Sequence, residues 1–405
     1  MNPNLLQLQP YPFEKLANLK AGITPPAHLP HIALSIGEPK HAAPAFVLEK
    51  LVASMAGLGN YPATKGLPEL RAAIANWATN RFQLTPGSLN AEQHILPVAG
   101  TREALFSFAQ AVVDNRCATA KVLMPNPFYQ IYEGAALLAG AEPYFLNCIA
   151  ENGFTPNFDA VPEHIWRDCQ LLYICSPGNP TGNVLPFEIL QKLILLADKY
   201  DFVIAGDECY SELYFNEANP PLGLLEACAR MGRHDFARCV VFHSLSKRSN
   251  LPGLRSGFVA GDAKILQQYL QYRTYHGCAL PVPTQLASTL AWQDETHVIA
   301  NRELYRQKFQ QAIAILQPVI NVQQPEAGFY FWLKTPYSAT AFARDLFAQK
   351  NVTVLPGEYL ARTTEAGNPG EHYVRLALVA EVEECAQACE RIRAFLVENG
   401  WALAN

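Results

Sequence analysis

Short apolar runs alternate with longer amphipathic stretches along most of this chain, and that alternation predicts its elements. Residues 45–55 carry the spacing of an amphipathic helix, stopped by Gly57 and Gly59. Pro68 suits the first turn of a second helix, with Glu69 favourable beside it, and Leu70, Ile74 and Trp77 recur on one face. Residues 95–98 read as a strand broken at Ala99-Gly100. Thr101 then caps TREALFSFAQAVV, in which Ala104, Leu105, Phe108 and Val112 share a face. Further short strands are expected at 122–124, 171–175, 202–205 and 240–242.

Each of these five strands ends in a loop that holds the polar residues of interest. Most segments between them are long enough for the crossover helices that parallel pairing demands. In parallel α/β sheets a ligand lies at the carboxyl ends of the strands. Residues 46–287 are therefore expected to form one large α/β domain with a mainly parallel central sheet. The tail changes character. A helix over 298–316 leads to the aromatic strand PEAGFYFWL, then to strands in VTVLPGEYLA and YVRLALV, and a helix over 382–396 closes the chain. This predicts a smaller α+β domain over 288–405. The first thirty residues, rich in Pro, Leu and Asn, either are disordered or lie across another surface. Residues 1–45 are assigned to that arm and to part of the small domain.

Composition narrows the function classes. A length of 405 residues suits two domains. A formal charge of -5 argues against a nucleic-acid or anionic-membrane partner. No cysteines form a C-x-x-C pair. Cys385 and Cys389 share a helical face, but nothing completes a metal site around them, so the cysteines read as small core hydrophobes and no metal is expected. Residues 1–10 lack the basic start and apolar core of a signal peptide. No run approaches the ~18–20 apolar residues of a membrane span. Together these point to a cytoplasmic protein.

The chemistry concentrates in HSLSKRSNLPGLRSGFVAG, residues 243–261. Lys247 lies among Ser244, Ser246 and Ser249, between hydrophobic flanks, and the turn LPGLR brings Arg255 back beside them. Burial lowers an amine's pKa, and a neutral amine can condense with an aldehyde. Arginine with several serines suits a phosphate dianion. Aldehyde and phosphate together suggest pyridoxal 5'-phosphate (PLP). Such chemistry also needs a carboxylate for the pyridine nitrogen, donors for the ring oxygen and an arginine for the substrate carboxylate. Asp207 and Tyr210 in GDECYSELYF, Asn179 in SPGNPTG and the glycine turn before Thr101 are the candidates. Arg375 in VRLAL either snorkels to the surface or points at an anion. Gly37, in LSIGEPKH, lets a backbone approach a ligand closely.

The motifs YPATKGLPELR, PNPFY, SPGNPTG, DECY, SLSKRSNLPGLR and VRLAL, in this order over roughly residues 35–380, resemble those of the fold-type I, class I/II aminotransferases. The resemblance implies an aspartate-aminotransferase-like fold and PLP as cofactor. It implies that Lys247 bonds the aldehyde, that Asp207 partners the pyridine nitrogen, and that Asn179 and Tyr210 hydrogen-bond the ring hydroxyl. It implies that Tyr129 stacks on the ring. Gly100, Thr101 and Arg102 match the phosphate turn, joined by Ser244, Ser246 and Arg255. Tyr61 matches a tyrosine that reaches the phosphate from the neighbouring subunit, which implies a homodimer with shared sites. Gly37, Asn179 and Arg375 match the substrate-carboxylate clamp. The opening MNPNLLQLQPYPFEKL, with LSIGEPKH and YPATKGLPELR, resembles the subgroup that aminates a succinylated oxo-pimelate in bacterial lysine biosynthesis. The cofactor motifs do not separate that activity from aspartate, aromatic or alanine transamination or from C–S lysis. A PLP-sensing regulator is disfavoured, because the residues before LSIGEP show no basic helix pair. Arg248 and Arg102 depart from the family's pattern, and each is either a solvated charge or a partner for an extra acidic group on the substrate. Lys40 and Lys65 are further candidates for that distal end.

Overall fold

The computed structural model describes residues 1–403. Its strands, in chain order, are β1 (Ile32–Ala33), β2 (Ile95–Val98), β3 (Lys121–Asn126), β4 (Glu142–Asn147), β5 (Cys169–Cys175), β6 (Val203–Asp207), β7 (Cys239–Ser244), β8 (Gly257–Gly261), β9 (Tyr330–Lys334), β10 (Val352–Thr353), β11 (Leu355–Pro356) and β12 (Tyr373–Ala377). Seven of them form one sheet in the order β2-β8-β7-β6-β5-β3-β4. The β4-β3-β5-β6-β7 run is parallel, while β8 is antiparallel to both of its neighbours.

Side chains alternate across this sheet and separate two cores. Leu172, Ile204 and Val241 face the helices Pro68–Arg81, Phe187–Tyr200, Leu224–Arg230 and Val282–Gln293. Leu171, Tyr173, Ala205 and Val240 face Thr101–Val112, Ile131–Ala139 and Ala263–His276. Burial on both faces explains why the central strands read as near-continuous apolar runs. A third core lies in the tail. There β11-β12-β9 form an antiparallel sheet and β10 pairs with β1. Ile32 and Leu34 pack with Phe309 from the helix Thr296–Leu316 and with Ile392 from Val382–Glu398.

Two strands lie outside the predicted pattern, and the arm resolves to the second of its two alternatives. The strand pattern missed β4 and β8. The strand β4 lies at the sheet edge and is mostly half-buried, so EPYFLN lacks the full apolar run of a central strand. The strand β8, GFVAG, differs from its expected place as a mere hydrophobic flank of the lysine loop. The N-terminal arm is ordered and lies across the protein's own surface. Its helix Pro12–Lys20 buries Leu16 against Leu355 and Leu360, and Asn4 donates to the Leu137 carbonyl at 3.0 Å.

Candidate active site

The carboxyl ends of β5, β6 and β7 open into a cavity of about 370 Å³. The one-turn helix Leu245–Arg248 follows β7 directly and sets Lys247 at the cavity wall. Ser244 caps it, accepting from the Ser246 amide at 3.1 Å. Lys247 Nζ donates to the Gly37 carbonyl at 2.6 Å. Burial pulls this ammonium down to about 8, against 10.5 for an ordinary lysine, so its neutral fraction at any pH below that range is far larger than an ordinary lysine's.

Asp207 ends β6 and is buried. Its carboxylate accepts from Tyr132 Oη at 2.5 Å and from the Cys209 amide at 3.3 Å. Burial pushes the carboxyl up, and the Tyr132 and Cys209 hydrogen bonds oppose that rise. Tyr210 Oη lies 2.9 Å from Tyr330 Oη, and burial holds the Tyr210 phenol well above its ordinary range. Asn179 Oδ1 accepts from Arg375 Nη1 at 3.0 Å. Arg375 Nη2 also donates to the Ser35 carbonyl at 2.8 Å, and its guanidinium sits 4.5 Å over the Tyr330 ring. Arg375 Nε is buried without a partner among the described residues. Arg375 therefore points inward rather than snorkelling. Gly37 is confined, since a Cβ there would stand 1.9 Å from Tyr330 Oη.

Opposite this group lies the Gly100 turn. Gly100 takes φ +95°, which favours glycine, and a Cβ there would stand 2.2 Å from Arg255 Nη2. Arg255 donates to the Pro252 carbonyl at 3.0 Å and to Glu103 at 2.7 Å. Thr101, Tyr129, Ser244 and Ser246 line the same cavity.

The structure brings most of the sequence candidates together, but not all. Tyr61 is fully exposed and does not line the cavity of its own chain. Lys40 is exposed and does not line the cavity either, and Lys65 pairs with Glu92 at 2.8 Å. Arg248 is neither solvated nor in the cavity. It is buried over the Trp77 and Trp292 rings, bonded to the Ala291 and Asp294 carbonyls and to Glu295. Arg102 is exposed, lines the cavity mouth and stands 5.5 Å from the Tyr11 ring. The sequence reading missed Tyr132 as the partner of Asp207, and also Tyr330, Tyr11 and Glu103. Only Tyr132 left a trace, three residues after Tyr129, one helical turn along.

The residues fit a phosphorylated pyridine aldehyde. An arginine, a glycine turn and hydroxyls, a buried carboxyl and an amine of lowered pKa line one cavity. A family model described as "Aminotransferase class I and II" matches residues 30–392. LL-diaminopimelate aminotransferase of Syntrophobacter fumaroxidans is 30% identical over 394 residues, covering 95% of this chain and 96% of that protein. A relative of the same name from Dehalococcoides mccartyi is 31% identical over 370 residues, covering 90% and 91%. Among solved structures, an aminotransferase from Neisseria meningitidis Z2491 superposes with a TM-score of 0.94 at 51% identity, covering 98% of this chain and all of that one. Aminotransferase AspB from Helicobacter pylori 26695 gives 0.87 at 36% identity, covering 96% and 98%. Motif order, sheet topology and whole-length similarity agree that the chain belongs to the class I and II aminotransferases, fold-type I enzymes that use pyridoxal 5'-phosphate.

Proposed function

We propose that this aminotransferase moves an amino group between glutamate and N-succinyl-2-amino-6-oxopimelate, in the diaminopimelate branch of lysine biosynthesis. The observation that carries the reading is Arg102. It is a guanidinium at the cavity mouth with no carboxylate partner among the described residues, beside the Tyr11 ring. A long substrate held by its α-carboxylate at Arg375 extends toward that mouth, where a distal carboxylate meets a cation. The relatives named LL-diaminopimelate aminotransferase support a seven-carbon dicarboxylic skeleton. They also raise the second reading, a substrate with a free distal ammonium. The lining argues against it. Only Asp207 and Glu103 among the cavity residues are acids; one is buried in the wall and the other is paired with Arg255. An acylated nitrogen needs no acid partner.

In this reading Arg255, Ser244, Ser246, Thr101 and the Gly100 turn would hold the cofactor's phosphate, while Arg102 beside that turn faces the mouth. Asn179 and Tyr210 would hold the ring hydroxyl, Tyr129 would pack on the ring, and Asp207 would partner the pyridine nitrogen. The bound cofactor supplies the electron sink for the breaking Cα–H bond. Lys247 would hold the aldehyde and, as the free amine, would accept the proton from Cα, and burial brings its pKa down to about 8 for that role. Arg375, with Asn179 and the Gly37 backbone, fixes the α-carboxylate so that the Cα–H bond faces the amine. An exposed apolar band of Val52, Met55, Leu58 and Tyr61 supports a homodimer in which Tyr61 reaches the partner's phosphate. The substrate test is kcat/KM across N-succinyl-LL-diaminopimelate, LL-diaminopimelate, aspartate, phenylalanine and alanine, each with 2-oxoglutarate as acceptor. The succinylated donor is expected to lead. A lead for any other donor replaces this reading with that one.

A further inference from the structure

A lysine with no acid to pair with lies deep behind the catalytic amine. Lys308, on the helix Thr296–Leu316, is 0% exposed, and among the described residues it makes no ion pair. The acids nearest to it, Glu381 and Glu384, act on it only at a distance. Its Nζ sits 2.5 Å from His41 Nε2 and 4.8 Å over the Tyr305 ring. Burial pulls this ammonium down to about 8. Leaving such a charge in a core is costly, and an apolar side chain of similar length would pack there without that cost.

The hydrogen bonds around it form one directed chain. Asn301 Oδ1 accepts from Asn250 Nδ2 at 3.0 Å and lies 2.7 Å from His41 Nδ1. Because that oxygen is an acceptor, His41 Nδ1 carries the hydrogen. His41 Nε2 then presents its lone pair to Lys308. Asn301 Nδ2 reaches back to the Lys247 carbonyl at 3.5 Å. His41 therefore ties the segment that begins at Leu34 both to the long helix and to the lysine loop. That segment carries the Ser35 carbonyl that accepts from Arg375 and the Gly37 carbonyl that accepts from Lys247.

We propose that Lys308, acting through His41, is a positioning residue that holds the 34–41 strap with its carbonyls against Lys247 and Arg375. The inference rests on the roles assigned above to those two residues. A buried donor–acceptor chain of fixed polarity admits one arrangement of the strap, which an apolar contact would not impose.

The test uses the PLP-loaded enzyme with glutamate as donor. Lys308→Met removes the donor and keeps the volume. It is expected to fold with a melting temperature equal to or above wild type, to raise KM for glutamate at least tenfold with a smaller change in kcat, and to speed hydrogen exchange in peptides spanning 34–41. Lys308→Gln keeps an N–H donor without charge and is expected to restore KM to within about threefold of wild type. Should Lys308→Met fail to fold, His41→Asn, which keeps a donor toward Asn301 but cannot reach Lys308, carries the same expectation. Wild-type KM and wild-type strap exchange in a folded Lys308→Met or His41→Asn protein overturn the proposal. So does equal impairment of Met and Gln variants with a lowered melting temperature, which marks a merely structural lysine. A wild-type enzyme that failed to use glutamate would instead sink the substrate reading.

Discussion

Arg375 Nη1 donates to Asn179 Oδ1 at 3.0 Å, so a strand of the small antiparallel sheet and the loop that leaves β5 meet at one hydrogen bond. Arg375 is thereby aimed before any substrate arrives, and its unpartnered Nε adds a donor for a carboxylate. Replacing Arg375 by Ala removes a charge-assisted contact of roughly 1.5–3 kcal/mol, a loss of about 10- to 150-fold in kcat/KM for glutamate. The loss should spare an amine that lacks the α-carboxylate. Equal losses for both donors, measured by steady-state kinetics, would count against the clamp.

Tyr132 gives the second prediction. Its hydroxyl donates to Asp207 at 2.5 Å, a hydrogen bond that favours the ionised carboxylate against the burial that opposes it. Tyr132→Phe keeps the ring stacked on Tyr173 and deletes only that donor. The carboxyl then rises further. Single-turnover proton abstraction from glutamate should slow about tenfold, the size of one hydrogen bond to a charged group, while glutamate binding changes little. Rapid-mixing absorbance measurements separate the two effects.

How far the sequence revealed this site depends on how local each signal was. Lys247, Asp207, Asn179 and Arg255 are legible because each sits within a few residues of a strand end in a short motif, and β5, β6 and β7 deliver them to one edge. The pairing of Tyr132 with Asp207 and the place of Tyr330 were not legible. Their roles come from pairings across 75 and 120 positions, which no local pattern encodes. The same reason hid the true place of Arg248. Its neighbour Lys247 faces the cavity, while one residue on, the helix turns it into the core between Trp77 and Trp292. The antiparallel β8 was not legible because GFVAG is short and two of its five residues are glycine, so it lacks the apolar run of a strand.

Lys247 itself sets a pH dependence. Only the neutral amine attacks an electrophile, and burial moves its titration down from 10.5 to about 8. Lowering the pKa of a base enlarges its neutral fraction at every pH below the ordinary value. In the cofactor-free protein, labelling of Lys247 by an amine-reactive reagent should rise with a midpoint near pH 8, read by peptide mass spectrometry. A midpoint at the value of ordinary lysines would contradict the burial argument.

Tyr61 tests the shared site. It is exposed and lies off its own cavity, so its role requires a second copy. Hybrid dimers of Lys247→Ala and Tyr61→Ala chains distinguish the cases. If Tyr61 serves the partner, one site of each hybrid collects both defects and the other is intact, and random pairing restores about a quarter of wild-type sites in a two-fold dimer. If Tyr61 served its own chain, no hybrid site would be intact. Cofactor content and turnover after co-expression report the outcome.

Arg102 and Arg248 make opposite predictions from the same residue type. Arg248 holds Ala291 and Asp294 carbonyls and the Glu295 carboxylate from within the core, so Arg248→Ala leaves two carbonyls without their donor and should cost about 1–3 kcal/mol of stability. Its effect on the ratio of kcat/KM between the succinylated donor and glutamate should be small, because it touches neither. Arg102 is exposed, so Arg102→Ala should leave the melting temperature nearly unchanged. It should lower that ratio by about tenfold, because the distal carboxylate loses its charge-assisted partner at the mouth. Calorimetry and the donor panel together decide the matter: a ratio that moves with Arg248 and not with Arg102 would place the distal end of the substrate elsewhere in the cavity.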